Sequence, residues 1–417
     1  MTPRDVHLLR DPEAMRRAVA LVPVFATRRA RLSALALDRL WVKPGRHCHA
    51  AYRVTLDRGG DAVETLASAT LLRDPSRGPA LLRAARAVPA VRAPWTAGDA
   101  SVLVDSPCAL VQLFPWDHRL PTLARAVDPT DVGGALGIPV RTAAPVGYWP
   151  GVRCQIRYET NEGTLFGKVF PDASGEDVGR RLAGLATALE GASELVVPRV
   201  RAWIAPLELL VTTPLAGDAL GECLRRGTSG EVIGRVAAAL ARLHATALPD
   251  VSRRFAPTDD LAIVQQWVAF AGAVFPELEA DLRNALARLE QARPVRDRPP
   301  TLVHRDFYDR QVLIGGTHVG LLDLDTLCQG DPEIDVANFC AHLVLRGLQW
   351  YDEPRTFDAL ATGFTAAYRA CRPDLEEARV AWYRASASLR LACVYGMRPW
   401  WTALVPSLIR ECHRALD

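Results

Sequence analysis

The chain has 417 residues, 49% of them apolar and 23% charged, with a formal net charge of +3. This length suggests two to three domains of an ordinary globular protein, and so small a charge gives no footing for a nucleic-acid partner. No apolar run approaches the ~18 residues of a membrane span, the acid-bearing start lacks the apolar core of a signal peptide, and the nine cysteines are scattered singly without a Cys-x-x-Cys pair. Reduced thiols and a cytoplasmic protein with no membrane partner are therefore expected, with the oligomeric state left open.

Only Lys43 and Lys168 are lysine; every other basic residue is arginine. In such a chain a surviving lysine is a candidate for a task that suits a compact point charge better than a planar fork, such as contact with a phosphate. In chain order, Pro3 to Leu40 reads as helical with a basic face at Arg16, Arg17 and Arg28 to Arg31. LWVKPGRHCHAAYRVTL then shows strand-like alternation, with a turn at Gly59-Gly60 and a second strand, ETLASATLL. A helix is expected around Pro79 to Val88, strands near Ser101 to Phe114, and a helix over DHRLPTLARAV.

The same plan then recurs. GYWPGVRCQIRYET reads as a strand pair, Asn161-Glu162-Gly163 as a hairpin turn and TLFGKVF as the next strand. Gly175 to Leu189 carries Val178, Leu182, Leu185 and Leu189 at helical spacing, and VVPRVRAWI and LELLVTT are further strands. Pro44-Gly45-Arg46-His47-Cys48 and Pro150-Gly151-Val152-Arg153-Cys154 lie 106 positions apart and head the same order of elements. This is the pattern of an internal duplication. From Gly230 onward the chain is helical, interrupted by a Pro-rich linker, RPVRDRPP, and one stretch of a different kind.

That stretch is LVHRDFYDRQVLIGGTHVGLLDLDTLCQGDPEIDVANF, Leu302 to Phe339. Asp306 ends an apolar run and can accept a proton from a substrate hydroxyl. Gln311 offers a carbonyl oxygen one loop later, and a hairpin with Gly315-Gly316 at its tip brings Asp323 back beside both. A base with two hard oxygen ligands suits phosphoryl transfer, because Mg²⁺ favours oxygen and keeps few protein ligands. Gly330-Asp331-Pro332 and Asp335 then open an amphipathic helix, with Asp331 expected to cap it and Asp335 to tie down the loop at His304 or Arg305.

The ordered set His304, Asp306, Gln311, Asp323, Asp331 and Asp335 resembles the aminoglycoside phosphotransferase and choline-kinase-like family. There the loop usually reads His-Gly-Asp, four residues, then Asn, followed by Ile-Asp-(Phe or Trp)-(Asp or Glu) and Gly-Asp-Pro-x-x-Asp. Two positions depart: Arg305 stands for the usual Gly, and Gln311 for the usual Asn. The resemblance implies an α+β, protein-kinase-like bilobal fold, with a β-rich small lobe and a helical large lobe. The first repeat then becomes a degenerate duplicate of the small lobe. The expected segments are 1–135 (small-lobe-like pseudo-domain), 136–217 (small lobe) and 218–417 (large lobe).

By the same resemblance the protein is expected to transfer the terminal phosphoryl of ATP or GTP to a hydroxylated small molecule such as a sugar or an aminoglycoside-like compound. Asp306 becomes the catalytic base, Gln311 and Asp323 the Mg²⁺ ligands, and Lys168 the contact to the nucleotide phosphates. Gly151, in the turn of the second repeat, and Glu176, at the start of the following helix, are the remaining nucleotide-site candidates. In the first repeat Ser68 or a neighbouring alanine takes the lysine's place. Asp352-Glu353 and the acids at Asp374, Glu376 and Glu377 are either solvated faces or receptors for a polyamine, and Trp350, Trp382, Trp400 and Trp401 either core or a stacking surface for a sugar. The alternative from another class is a non-catalytic nucleotide-binding pseudokinase or scaffold, favoured by Gln311 and the lack of a mid-helix acid after Lys168.

Overall fold

The computed structural model describes residues 2–88, 95–192 and 194–417. The chain divides into two compact units, Met1–Gly179 with Val200–Thr213, and Arg180–Arg199 with Pro214–Asp417.

The first unit opens with three short helices, Pro3–Arg10, Pro12–Ala20 and Pro23–Ala26. Each starts with proline, whose fixed φ suits a first helical turn, and Thr2 and Asp11 cap the first two with side-chain oxygens. Strands β1 (Arg31–Lys43), β2 (His47–Arg58), β3 (Asp61–Leu71), β4 (Ser101–Asp105) and β5 (Cys108–Leu113) follow. The helix expected through Leu40 therefore stops early. Arg31 onward is a strand, laddered to β2 with bulges at Leu32/Ala34 and Leu37/Arg39. Its Ala, Leu and Arg content favours helix, but long-range pairing overrides the local preference. The Arg16 guanidinium, on the preceding helix, donates to the carbonyls of Leu32 and Ser33.

A second sheet is built from β6 (Val140–Trp149), β7 (Arg153–Thr160), β8 (Gly163–Val169), β10 (Val200–Ile204) and β11 (Leu209–Thr212); β9 (Leu195–Val196) belongs to the other unit. The strand orders are β1-β2-β3-β5-β4 and β10-β11-β8-β7-β6, the same sequence of neighbours in both. Each sheet has a helix after its third strand, Gly78–Arg86 in one and Ser174–Ala188 in the other. Cys48 and Cys154 occupy matching, fully buried positions at the heads of β2 and β7. The duplication read from the sequence is thus present in the topology. One apolar cluster joins the two sheets, running from Ala51 through Leu120 and Leu123 to Cys154, Ile156, Tyr158 and Val211.

The second unit is mainly helical. It holds a four-stranded sheet, β12 (Asp218–Ala219), β15 (Val312–Ile314), β16 (Val319–Leu321) and β9. A three-stranded sheet joins β13 (Arg254–Phe255), β17 (Cys328–Gly330) and β14 (Thr301–Val303). Helices Gly230–Ala245, Pro257–Val274, Glu279–Gln291, Glu333–Tyr351, Asp358–Cys371, Glu377–Gly396 and Val405–Leu416 pack around them. The helix Glu333–Tyr351 was expected to be amphipathic. It is instead buried without interruption from Glu333 to Leu348, so its polar residues must find partners inside the protein. Among the described residues no helix is long and apolar enough to cross a membrane.

Candidate active site

The loop Leu302–Asp306 is held from below by one carboxylate. Asp335, fully buried, accepts the His304 N–H and the Arg305 N–H, both at 2.7 Å. It also accepts from His244 Nε2 at 3.0 Å, and the other nitrogen of that ring meets the Tyr368 hydroxyl at 2.6 Å. Burial pushes the His244 pKa down although Asp335 pulls the other way, so the ring is neutral, a donor to Asp335 and an acceptor from Tyr368. The expected tie between Asp335 and the loop is present, and it reaches both peptide N–H groups.

His304 has a positioning task as well. Its Nε2 lies 2.9 Å from the Leu322 carbonyl, and its Nδ1 accepts the Asp306 N–H at 3.3 Å. Those partners select the neutral tautomer with the proton on Nε2. The Thr326 hydroxyl donates to the His304 carbonyl at 2.6 Å. Leu322 in turn donates its N–H to the Gln311 carbonyl at 2.9 Å, and β15 and β16 pair with Val312 opposite Leu321. The hairpin therefore brings Gln311 and Asp323 together and stitches both to the loop that carries Asp306. Asp306 and Asp323 are each partly exposed.

Two residues here adopt left-handed backbone, Arg305 at φ 68° and Asp323 at φ 55°. A side chain rarely adopts this region without cost, which gives a physical reason for glycine at the Arg305 position in the resembling loops. Here Arg305 places its guanidinium over the Phe255 ring, 3.7 Å from the centroid. Gln311 is largely buried, and its side-chain amide makes no hydrogen bond among the described residues. A hard carbonyl oxygen left unused beside a carboxylate suits Mg²⁺, which takes few protein oxygens and fills the rest of its shell from phosphates and water. Among the described residues no three His, Cys, Asp or Glu side chains form a metal cage.

Lys168, Gly151 and Glu176 belong to the first unit. Lys168 lies on β8, opposite Gln155 on β7 and Leu210 on β11. In the first sheet His49 stands where Gln155 does, one residue after the matching cysteine, and its ladder partner is Thr70, which also pairs with Leu110. The lysine's counterpart is thus Thr70, a correction to Ser68 or a neighbouring alanine. Counting along the strand cannot find it, because β2 and β3 are longer than β7 and β8. The Thr70 hydroxyl is engaged with His49 Nδ1 at 2.9 Å.

Gly151 takes φ 66°, and a Cβ there would come within 2.9 Å of His49 Cε1 and 3.2 Å of Arg119 Cδ. Its N–H donates to Asp117 Oδ2 at 2.6 Å, and the same oxygen accepts the Tyr148 hydroxyl at 2.8 Å. That amide is therefore engaged inside the protein. Glu176 is exposed in the first turn of its helix and shares that end with Asp172 and Glu208. Burial first, then these two carboxylates, push the Glu208 pKa up.

Asp331 does not cap the following helix, whose first turn has no side-chain cap. Its carboxylate is buried and accepts from Arg379 Nη1 at 2.7 Å and from the Tyr383 hydroxyl at 3.1 Å. Sequence reasoning also missed Asp117 and the buried pair Asp309–Arg346, in which Arg346 Nε lies 3.0 Å from both carboxylate oxygens. The signal for the pair was an arginine in the apolar run AHLVLRGL, since a buried guanidinium demands a buried acid. Trp382 is core, donating its indole N–H to the Leu289 carbonyl at 2.9 Å.

The fold and this loop define the class: a kinase-like α+β enzyme that moves phosphoryl groups. The sequence profile described as the phosphotransferase enzyme family matches residues 155–382, more than half of the chain. The chain belongs to that family and is a small-molecule phosphotransferase. A search among curated proteins finds no match. Among solved structures, it is similar to a spectinomycin phosphotransferase bound to ADP and spectinomycin at 14% identity, covering 67% of this chain and 91% of that one, TM-score 0.47. It is also similar to a macrolide 2'-phosphotransferase from Brachybacterium faecium at 17% identity, covering 68% and 95%, TM-score 0.42. A third, an aminoglycoside phosphotransferase from Streptomyces rimosus bound to ADP and streptomycin, has 21% identity, covering 57% and 90%, TM-score 0.40.

Proposed function

We propose that the protein transfers the terminal phosphoryl group of ATP, or of GTP, to a hydroxyl of a small-molecule acceptor. The acceptor oxygen forms a bond to the terminal phosphorus while the bond from that phosphorus to the bridging oxygen breaks, and the nucleoside diphosphate leaves. Asp306 accepts or orients the hydroxyl proton. Asp323 and the Gln311 carbonyl are the residues that would hold Mg²⁺, which supplies charge neutralisation on the phosphates when bound. Lys168 adds a point charge to the phosphates. Gly151 contributes the tight turn that only a residue without a side chain fits, rather than its N–H, which Asp117 already takes. Glu176, in the first turn of the helix after Lys168, is the acid assigned to hold the lysine.

The observation that supports this reading is the stitch His304–Leu322–Gln311, which holds the loop of Asp306 and the hairpin of Gln311 and Asp323 on one small frame. The test is thermal unfolding with and without ATP and Mg²⁺, on wild type and on Asp323→Ala. A ligand that binds only the folded state raises the midpoint. A magnesium-dependent rise that disappears in the variant supports the reading. A rise indifferent to magnesium favours a non-catalytic nucleotide binder, and no rise with either nucleotide overturns it.

A further inference from the structure

The turn Trp149-Pro150-Gly151-Val152-Arg153 has no backbone donor to spare. Pro150 carries no N–H. The Gly151 N–H goes to Asp117 Oδ2 at 2.6 Å, and the Val152 N–H closes the turn on the Trp149 carbonyl at 2.9 Å. Turns that receive phosphate oxygens ordinarily do so through such N–H groups. An anion beside this turn needs a side chain instead.

Arg39, Arg153 and Arg119 lie against it. Arg39, from β1, and Arg153, from β7, hold their guanidiniums over the Trp149 ring, 4.1 and 4.5 Å from its centroid. Arg119 is placed differently. Its Cδ lies 3.2 Å from where a Gly151 Cβ would stand, so its stem runs along the glycine. Its main chain is pinned from behind, because the Arg119 N–H donates to Asp117 Oδ1 at 2.9 Å while Oδ2 takes the turn. Asp117 is 3% exposed, so one buried carboxylate fixes Arg119 and Gly151 to each other. Arg119 itself is exposed, and its guanidinium makes no hydrogen bond or ion pair among the described residues.

The turn and Lys168 share one end of the second sheet. β7 leaves the turn and β8 returns towards it, with Lys168 opposite Gln155 and Val169 opposite Cys154. Asp172 follows at that end of β8. Hydrogen bonds from Ser174 hold its carboxyl below the ordinary range, and the Arg119 charge adds to them. A guanidinium anchored through its backbone and engaged with no acid suits a phosphate. Its planar fork can give two N–H bonds to one phosphate, where the ammonium of Lys168 gives a point charge.

From this we infer that Arg119 is a further nucleotide-binding residue, whose guanidinium donates to β- or γ-phosphate oxygens beside the Gly151 turn in place of the turn's own N–H groups. The inference rests on the reading that Lys168 and the Gly151 turn serve the nucleotide. It gives the segment joining the two sheets a part in the binding chemistry of the second.

The test is calorimetric titration of AMP, ADP and a non-hydrolysable ATP analogue, each with Mg²⁺ and at equal ionic strength, into the full chain. Wild type is compared with Arg119→Gln, Arg119→Lys and Arg46→Gln. Glutamine keeps a stem against Gly151 and drops the charge; lysine keeps the charge. Arg46, exposed in the first sheet's own turn, controls for a general loss of positive field. At an exposed position the apo melting midpoint of Arg119→Gln should stay within about 2 °C of wild type. A charge-assisted contact predicts about tenfold or more weakening of the ATP analogue in Arg119→Gln, less than about twofold for AMP, and partial recovery in Arg119→Lys. A loss confined to the ATP analogue assigns the contact to the γ-phosphate, and one shared by ADP to the β-phosphate. No loss in Arg119→Gln, an equal loss with AMP, or an equal loss in Arg46→Gln overturns the inference. Wild type that binds none of the three nucleotides defeats the nucleotide reading and this inference with it. Wild-type binding that Arg119→Gln leaves unchanged defeats only this one.

Discussion

Asp335→Asn tests how the catalytic loop is held. The wild-type carboxylate is fully buried and accepts three hydrogen bonds, from the N–H groups of His304 and Arg305 and from His244 Nε2, at 2.7, 2.7 and 3.0 Å. Asparagine has nearly the same shape but one acceptor oxygen; placed where Oδ2 lies, it keeps the His304 N–H and His244 Nε2, while its amide group points donors at the Arg305 N–H. A buried donor left unsatisfied costs ~1–3 kcal/mol. For a unit of roughly 200 residues each kcal/mol shifts the midpoint by ~2–4 °C, which places the fall on the order of 2–12 °C. Calorimetric unfolding of the apo protein reads this directly. Turnover should fall too, because His304 and Arg305 lead directly into Asp306. A variant that melts within about 1 °C of wild type would refute the reasoning, since the Arg305 N–H would then have found water or another acceptor.

Three further outcomes follow from the same structure. Asp306→Asn should lower turnover by ~10²–10⁴-fold while ATP still raises the melting midpoint; unchanged turnover removes Asp306 from its role. Asp117→Ala should free the Gly151 N–H and the Tyr148 hydroxyl inside the protein, costing about 2–4 kcal/mol, and urea unfolding followed by tyrosine and tryptophan fluorescence should show it as an earlier transition of the first unit. Stability should also drain away in mild acid. His244, His342 and His49 all have folded pKa values below 6.5, His49 at about 2, so the unfolded chain takes up protons first. Their stabilising effect is complete above pH ~6.5 and is lost at up to ~1.4 kcal/mol per histidine per pH unit as pH falls below it. A urea midpoint that stays flat between pH 7.5 and 5.5 would contradict the assignment of these rings as neutral.

The parts of this architecture that were legible in the sequence are those specified by neighbours in the chain. Asp306, Gln311 and Asp323 meet because a short hairpin with glycines at its tip folds on itself, and hairpin geometry is local. The helices of the second unit announce themselves by apolar periodicity. What stayed hidden depends on distant pairing. Arg31 to Leu40 has the composition of a helix and becomes a strand only because β2 offers it a long antiparallel ladder. Asp331 sits where a cap is expected, but Arg379 and Tyr383, some fifty residues on, claim its oxygens. The lysine-equivalent position of the first sheet depends on register, which strand length alone cannot set.

The two sheets show what a repeated lobe keeps and what it loses. Both preserve the strand order, the helix after the third strand, and a positive-φ glycine in the first turn, Gly45 at 69° and Gly151 at 66°. Their chemistry differs. The first copy has Thr70 where the second has Lys168, and Thr70 is bound to His49, so that position holds no cation for a phosphate. The space beside Gly45 is open, whereas Gly151 is closed in by His49 and Arg119 and tied to Asp117. Those three residues precede the second sheet in the chain. The first copy and its connecting segment therefore act on the second by shaping the turn that holds Gly151. A side chain at Gly151 would meet that wall and a rarely adopted backbone angle together, so the glycine is accounted for by packing without assigning its N–H to a ligand. This also changes what the first copy is for. The first copy has no lysine at the position equivalent to Lys168, and with its connecting segment it supplies the carboxylate of Asp117, the His49 ring and the Arg119 stem against which the second copy's turn is set.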